Sequence, residues 1–295
     1  MKLDAQALKA RVEAALTETM RSLPGIPDRL REAMAYSLLM GGKRLRPVLL
    51  LTSCQMLGGD VEEAMAAACA LEMIHTYSLI HDDLPGMDDD DLRRGQPTNH
   101  KRFGEGMAIL AGDGLLSLAV EIICRRALDY PDHELRHMRA LDAIMAGCGT
   151  RGMVAGQCLD LMAEGREDVC AEELFSIHRG KTGGLLVAAV TAGAHLAGAE
   201  EGRVAALRAY GEHLGVAFQI QDDILDVVGD AAKLGKQTGM DAQRGKLTYP
   251  ALFGLEESRR RLLEQTRQAE RALAGFGEAA RPLIDMARAL AHRDH

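Results

Sequence analysis

Between Pro131 and Pro250 the chain contains no proline, so nothing in that long span obliges a helix to stop. Alanine, leucine and methionine dominate, and alternating Val/Ile/Thr runs are nearly absent, which favours helix over strand. From Arg203 to Val228 the period is explicit. Leu207, Leu214, Phe218, Leu225 and Val228 recur at steps of seven, four, seven and three, one apolar helix face. The run GLLVAAVTAGA (184–194) would suit a buried strand by periodicity, but its alanine-rich continuation reads as a core helix. Punctuation at 23–27, 41–47, 84–86, 95–97, 130–131, 165–168 and 229–250 separates these stretches, and none has the composition of a flexible linker. The expectation is an all-α fold, a single domain over 1–295 with roughly ten helices.

Bulk properties narrow the function. A net charge of −8 lacks the basic footprint of a nucleic-acid binder. The six cysteines, at 54, 69, 124, 148, 158 and 170, form no CxxC pair and read as small buried hydrophobes in a reducing cytosol. The N-terminus has no apolar signal-peptide core, and no run of 18 apolar residues occurs, so no membrane span and a cytoplasmic location are expected.

Against that background, HDDLPGMDDDDLRRG (81–95) packs six aspartates into ten positions. A solvated acidic loop would explain it, were it not for a second cluster, FQIQDDILD (218–226), in apolar surroundings. On a helix, Gln219, Asp222 and Asp226 share one face, and Gly215, one turn earlier, leaves room for close approach. Partly buried carboxylates with no lysine or arginine partner on their own helix are costly unless a distant arginine or a metal ion compensates them. In the first cluster, Ala64, Ala68, Leu71, His75, Ser78 and Asp82 step along one helix face. Asp88 would lie about 240° further round a regular helix, but Pro85 and Gly86 break the path and allow both aspartates to converge. Hard oxygen ligands of this kind suit Mg²⁺, which takes one or two carboxylates and fills its shell with water and phosphate oxygens. Two such clusters facing one cavity would hold a phosphorylated ligand.

The cations fit that ligand. GGKRLRP (41–47) offers Lys43, Arg44 and Arg46 in a glycine-opened turn; Arg93 and Arg94 follow the first aspartates; Lys181 and Thr182 sit in HRGKTGG; Lys236 and Lys246 follow the second cluster. GDAAKLGKQ fails as a P-loop, because five residues separate its glycines and Gln follows Lys236 where Ser or Thr is required.

GGKRLRP, EMIHTYSLIHDDLPGMDDDDLRRGQPTNH, GMVAGQ, HRGKTGGLL, GVAFQIQDDILD and LGKQTGMDAQRGKLTYP occur in one order across nearly the whole chain. In this the sequence resembles the trans-isoprenyl diphosphate synthases, most closely the bacterial farnesyl diphosphate synthases. The resemblance implies helices around a central active-site cavity of the isoprenoid synthase type. It implies a homodimer and a condensation of isopentenyl diphosphate with an allylic diphosphate, first dimethylallyl and then geranyl. On matching positions, Lys43, Arg46, His75 and Arg94 would bind isopentenyl diphosphate. Asp82 and Asp88 would coordinate two Mg²⁺ and Asp222 a third, with Asp83, Asp226 and Asp241 near the metals and Mn²⁺ able to substitute. Arg93, Lys181, Lys236 and Lys246 would hold the allylic diphosphate, and Thr182 and Gln219 would lie beside the reacting carbons. The basic tail LAHRDH resembles C-terminal ends that help close the site in relatives.

Chain length follows from helix geometry. If the allylic head sits at Asp82, Ser78 and Tyr77 lie about 6 to 7.5 Å back along the axis, where a tyrosine would stop the growing chain. An aromatic at that position goes with a C15 product in the bacterial family, so farnesyl diphosphate is expected over geranyl or geranylgeranyl diphosphate. A class I terpene cyclase would replace one aspartate motif, and its cation-guiding aromatic surface is missing at 3% aromatic content with no tryptophan. A silent partner subunit would have lost one or both motifs; both are present.

Overall fold

A computed structural model describes residues 3–166, 170–228 and 247–293; Lys236, Asp241 and Lys246 lie outside them. Among the described residues the chain forms twelve α-helices of eight residues or more, two five-residue helices and one two-stranded hairpin. The all-α expectation holds, with a few more helices than the roughly ten read from the sequence. Contacts divide the chain into two compact units, Met1–Asp142 with Ala192–Gly198, and Ala143–Thr191 with Ala199–His295.

The first unit contains α1 (Ala5–Arg21), α2 (Asp28–Leu38), α3 (Leu45–Met56), α4 (Val61–Asp82), the hairpin β1 (Leu92–Arg93) and β2 (Gln96–Pro97), α5 (Asn99–Phe103), α6 (Glu105–Asp129) and the beginning of α7 (Glu134–Cys148). Helix α4 starts at Asp60, whose carboxylate accepts from the Glu62 N–H at 2.8 Å, satisfying one of the orphan donors of a helix start. It is apolar on most of its circumference, with Ala64, Ala67, Ala68, Leu71, Met73 and Ile74 all buried, as a helix enclosed by neighbours should be. Helices α3 and α6 supply that enclosure. Buried Glu63 adds a polar tie, accepting from His133 Nδ1 at 2.9 Å and His137 Nε2 at 3.0 Å.

Helix α6 departs from the sequence expectation. By length and composition it is apolar enough to cross a membrane, and it is the one such helix among the described residues. Counting uninterrupted apolar runs misses it because Asp113 and Glu121 fall within it. Its Ala108, Ala111, Leu115, Leu118, Ala119 and Ile123 are buried, and it packs along α4.

The second unit comprises the end of α7, α8 (Met153–Ala163), α9 (Ala171–His178), a π-helical turn (Arg179–Gly183), the first part of α10 (Gly184–Leu196), α11 (Glu201–Val228), α12 (Tyr249–Phe253), α13 (Leu255–Ala272) and α14 (Arg281–Ala291). The 184–194 run is helical, as read. On α11, Leu207, Leu214 and Leu225 are buried as their period requires, whereas Val228, the last residue of the helix, is 48% exposed. Helix α13 lies along α11, and Tyr210 of α11 donates its hydroxyl to the Leu283 carbonyl at 2.8 Å, pinning α14.

Two glycines seat the π turn. A Cβ at Gly156 of α8 would fall 2.0 Å from the Lys181 nitrogen, and one at Gly215 of α11 would fall 2.8 Å from Gly183 Cα. The space that Gly215 leaves is therefore taken by protein backbone. The cysteines divide unlike their expected uniform burial. Cys54, Cys69 and Cys148 are buried, but Cys124, Cys158 and Cys170 are exposed, each on or beside an amphipathic helix whose outer face a small thiol can occupy. Burial pushes the Cys54 and Cys69 thiols up to about 12.

Because the atoms facing Gly156 are backbone, a methyl group there cannot be met by a side-chain shift. Gly156→Ala is expected to lower unfolding free energy by about 1–3 kcal/mol, read as a lower urea midpoint at unchanged slope.

Candidate active site

In the first unit the acidic loop is built on the end of α4. The Asp88 N–H donates to the Asp82 carbonyl at 2.8 Å, and the Asp89 N–H donates to Leu84 at 3.2 Å. Pro85 and Gly86 thus turn the chain back so that Asp82 and Asp88 meet at the backbone. Asp83 faces elsewhere. It is buried and accepts from Arg93 Nε at 2.9 and 3.0 Å and from Nη2 at 2.5 Å. Burial works against both charges, and these bonds outweigh it for Arg93, whose pKa is held above its ordinary value. Asp90 lies 3.8 Å from the same guanidinium, and Asp91 pairs with Lys101 at 2.6 Å.

Arg94 and Gly95 both have positive φ, 53° and 75°, and make the two-residue turn of the β1–β2 hairpin. The turn directs the Arg94 guanidinium onto the Gly41 carbonyl. Gly42, with φ of 132°, admits it: a Cβ there would stand 2.8 Å from Nη2. Among the described residues the non-glycine positions with positive φ are Arg44, Asp89 and Arg94, all in this cluster. Strain of this kind collects at functional sites.

The three cations of the glycine turn separate by environment. Arg44 is buried, donating to Glu72 Oε1 at 2.7 Å and to the Leu38 carbonyl at 2.9 Å. Lys43 is exposed, and Arg46 is half-buried in the first turn of α3. His75, half-buried on α4, is held well below the usual imidazole range by burial and by Arg46, Arg94, Arg93 and Arg44. Two of these four guanidinium groups, Arg44 and Arg93, are also paired with Glu72 and Asp83. Tyr77 is buried; Ser78 is half-buried, its hydroxyl donating to the His75 carbonyl at 2.8 Å.

In the second unit a cavity of about 210 Å³ is lined by Asp160, His178, Lys181, Thr182, Gln219, Asp222 and Asp223, with apolar neighbours including Leu174 and Ile177. The π turn delivers Lys181 and Thr182, and such turns concentrate at functional sites. Lys181 Nζ donates to Asp160 Oδ2 at 2.6 Å. Thr182 Oγ1 donates to Gln219 Oε1 at 2.9 Å, and Gln219 Nε2 donates to Asp223 Oδ1 at 3.0 Å. Asp223 also accepts from the Tyr249 N–H at 2.9 Å, so this chain of bonds fixes the Gln219 amide in one sense. His178 stacks on Tyr249, and burial brings its pKa down to about 4.

Asp222 is met by Arg293, whose guanidinium also sits 4.2 Å over the Phe218 ring. The distant-arginine alternative is therefore realised at Asp222. Asp226 is buried and does not line the cavity. Asp160, Asp223 and Arg293 are residues that sequence reasoning missed; the only signal for the last was the basic tail.

Among the described residues no group of three or more His, Cys, Asp or Glu could by itself hold a metal ion. Asp82 and Asp88, whose backbones meet at this turn, carry hard oxygen donors of the kind that suits a cation drawing most of its shell from water and a phosphorylated ligand, as Mg²⁺ does.

The polyprenyl synthetase family model matches residues 27–279. The chain belongs to the polyprenyl synthetase family. It is 47% identical over 270 residues to the farnesyl diphosphate synthase of Bacillus subtilis, covering 92% of this chain and 90% of that protein. It is 50% identical over 272 residues to geranylgeranyl pyrophosphate synthase 11 of Arabidopsis thaliana, covering 90% of this chain and 75% of the relative. The crystal structure of an FPP/GFPP synthase from Zymomonas mobilis superposes with a TM-score of 0.84 at 35% identity, covering 97% of this chain and 98% of that one.

Removing one partner of a buried ion pair strands the other charge. Arg44→Ala should therefore cost about 3–5 kcal/mol of stability, and exposed Lys43→Ala under about 0.5 kcal/mol. Urea unfolding of the two variants side by side separates the buried cation that holds the fold from the exposed one.

Proposed function

We propose that the chain is a trans-prenyltransferase that condenses isopentenyl diphosphate with dimethylallyl and then geranyl diphosphate to yield farnesyl diphosphate and inorganic diphosphate. What carries this reading is the pairing of two carboxylate clusters with cations on a chain of this family. Asp82, Asp88 and Asp222 would hold Mg²⁺, with Asp226 and Asp241 supporting them and Mn²⁺ as a substitute. When bound, Mg²⁺ neutralises diphosphate charge and so makes it a better leaving group.

The chain's own residues do the rest. Arg93, Lys181, Lys236 and Lys246 receive the allylic diphosphate, with Arg93 held in place by Asp83 and Lys181 by Asp160. Breaking the C–O bond sends its electron pair to the diphosphate and leaves an allylic cation. Thr182 donates its proton to Gln219, so the lone pairs of its oxygen are the part it can offer to that cation. Lys43, Arg46, neutral His75 and Arg94 hold isopentenyl diphosphate; its double bond attacks the cation, and a proton leaves to the released diphosphate. Tyr77, with Ser78 beside it, closes the path of the growing chain at C15. A C20 product is the second reading, favoured by the 50% identity to a plant geranylgeranyl pyrophosphate synthase. A homodimer in the cytoplasm completes the proposal, on the family resemblance.

Purified protein with Mg²⁺, labelled isopentenyl diphosphate and dimethylallyl or geranyl diphosphate should yield, after dephosphorylation, a dominant C15 alcohol. Tyr77→Ala should extend the product by one or more C5 units. Cyclic hydrocarbon, or no elongation, would overturn the reaction; an unchanged C15 product from the variant would overturn the Tyr77 floor.

A further inference from the structure

A side chain can end a polymerisation only if it resists the pressure of the growing chain. Tyr77 is buried on α4, and His81 lies one turn further along the same helix. The two rings meet edge to face, centroids 5.7 Å apart at 74°, the i,i+4 relation of an α-helix. His81 is itself fastened to α6. Its Nε2 lies 3.1 Å from the Ile109 carbonyl, a contact in which that nitrogen donates, and 4.0 Å from Asp113 Oδ1. The ring reaches α6 through a notch at Gly112, where a Cβ would stand 2.1 Å from Nε2 and 2.5 Å from Cδ2.

Resting on the proposed C15 product, we infer that His81 and Gly112 are specificity-determining positions that act through Tyr77. The Gly112 notch seats the His81 ring, the Ile109 carbonyl fixes its azimuth, and its edge keeps the Tyr77 ring across the path of the chain. His81 is a positioning residue and Gly112 the socket that admits it. Neither needs to touch the substrate. The length of the product is then set by the α4–α6 contact as well as by the residue that faces the substrate. A side chain at position 112 would release the floor from behind.

The test compares product ratios of the full-length enzyme with Mg²⁺, isopentenyl diphosphate and geranyl diphosphate. An edge-on ring pair is strong enough to shift such a ratio by about three- to tenfold. His81→Ala and Gly112→Ala should each raise the C20:C15 ratio by about that factor, the second by expelling the imidazole. In the double variant the notch has nothing left to admit, so its ratio should equal that of His81→Ala alone, a full failure of additivity. A general loss of packing would slow turnover without moving the ratio. If Tyr77→Ala lengthens the product while neither single variant does, the brace is overturned and the floor stands. Independent, multiplying effects in the double variant overturn it as well. If Tyr77→Ala leaves C15 unchanged, the floor falls and the brace with it. Should His81→Ala fail to fold, Gly112→Ala alone decides, since it leaves every histidine in place.

Discussion

Six aspartates between residues 82 and 91 repel one another, and the end of α4 is organised by how that repulsion is met. Asp83 is drawn inward onto Arg93, and Asp91 outward onto Lys101. At the loop's turn the backbones of Asp82 and Asp88 are joined by a hydrogen bond. The hairpin is part of the same solution. Its register places Arg93 under Asp83, and its left-handed residue sends Arg94 back to the glycine turn. One loop thereby joins the backbones of two aspartates and, through the hairpin, carries Arg94 to the glycine turn.

The second cluster follows a different rule. Lys181 already sits on Asp160, and Asp222 on Arg293. Charges held in pairs avoid the penalty of standing unpaired in a partly buried site. They also keep the lysine extended and its neighbour Thr182 in register with Gln219.

Much of this was legible in the sequence, for physical reasons that differ by element. The apolar period of 203–228 announced α11, and the last position failed only because a helix end runs out of neighbours to cover it. The Pro85–Gly86 break foretold the meeting of Asp82 and Asp88, since no regular helix could join them. What stayed hidden depends on contacts remote in sequence. Asp160 lies 21 residues from the lysine it holds, and Arg293 lies 71 from Asp222. Gly215 signalled close approach, but not that the approaching group would be the backbone of a π turn. The membrane-like apolarity of α6 escaped because two acidic residues divide it, although neither stops its other face from packing on α4. Residues 236, 241 and 246, outside the described residues, keep the roles implied by resemblance alone.

The central proposal is that Asp82 and Asp222 each contribute to Mg²⁺-dependent binding of diphosphate. Calorimetric titration of inorganic diphosphate, with and without Mg²⁺, into the wild-type chain, Asp82→Asn and Asp222→Asn tests it directly and without turnover. The account predicts binding that depends on Mg²⁺ in the wild type and loses most of that dependence in either variant. Diphosphate bound equally well without Mg²⁺, or untouched by loss of one aspartate, would contradict it.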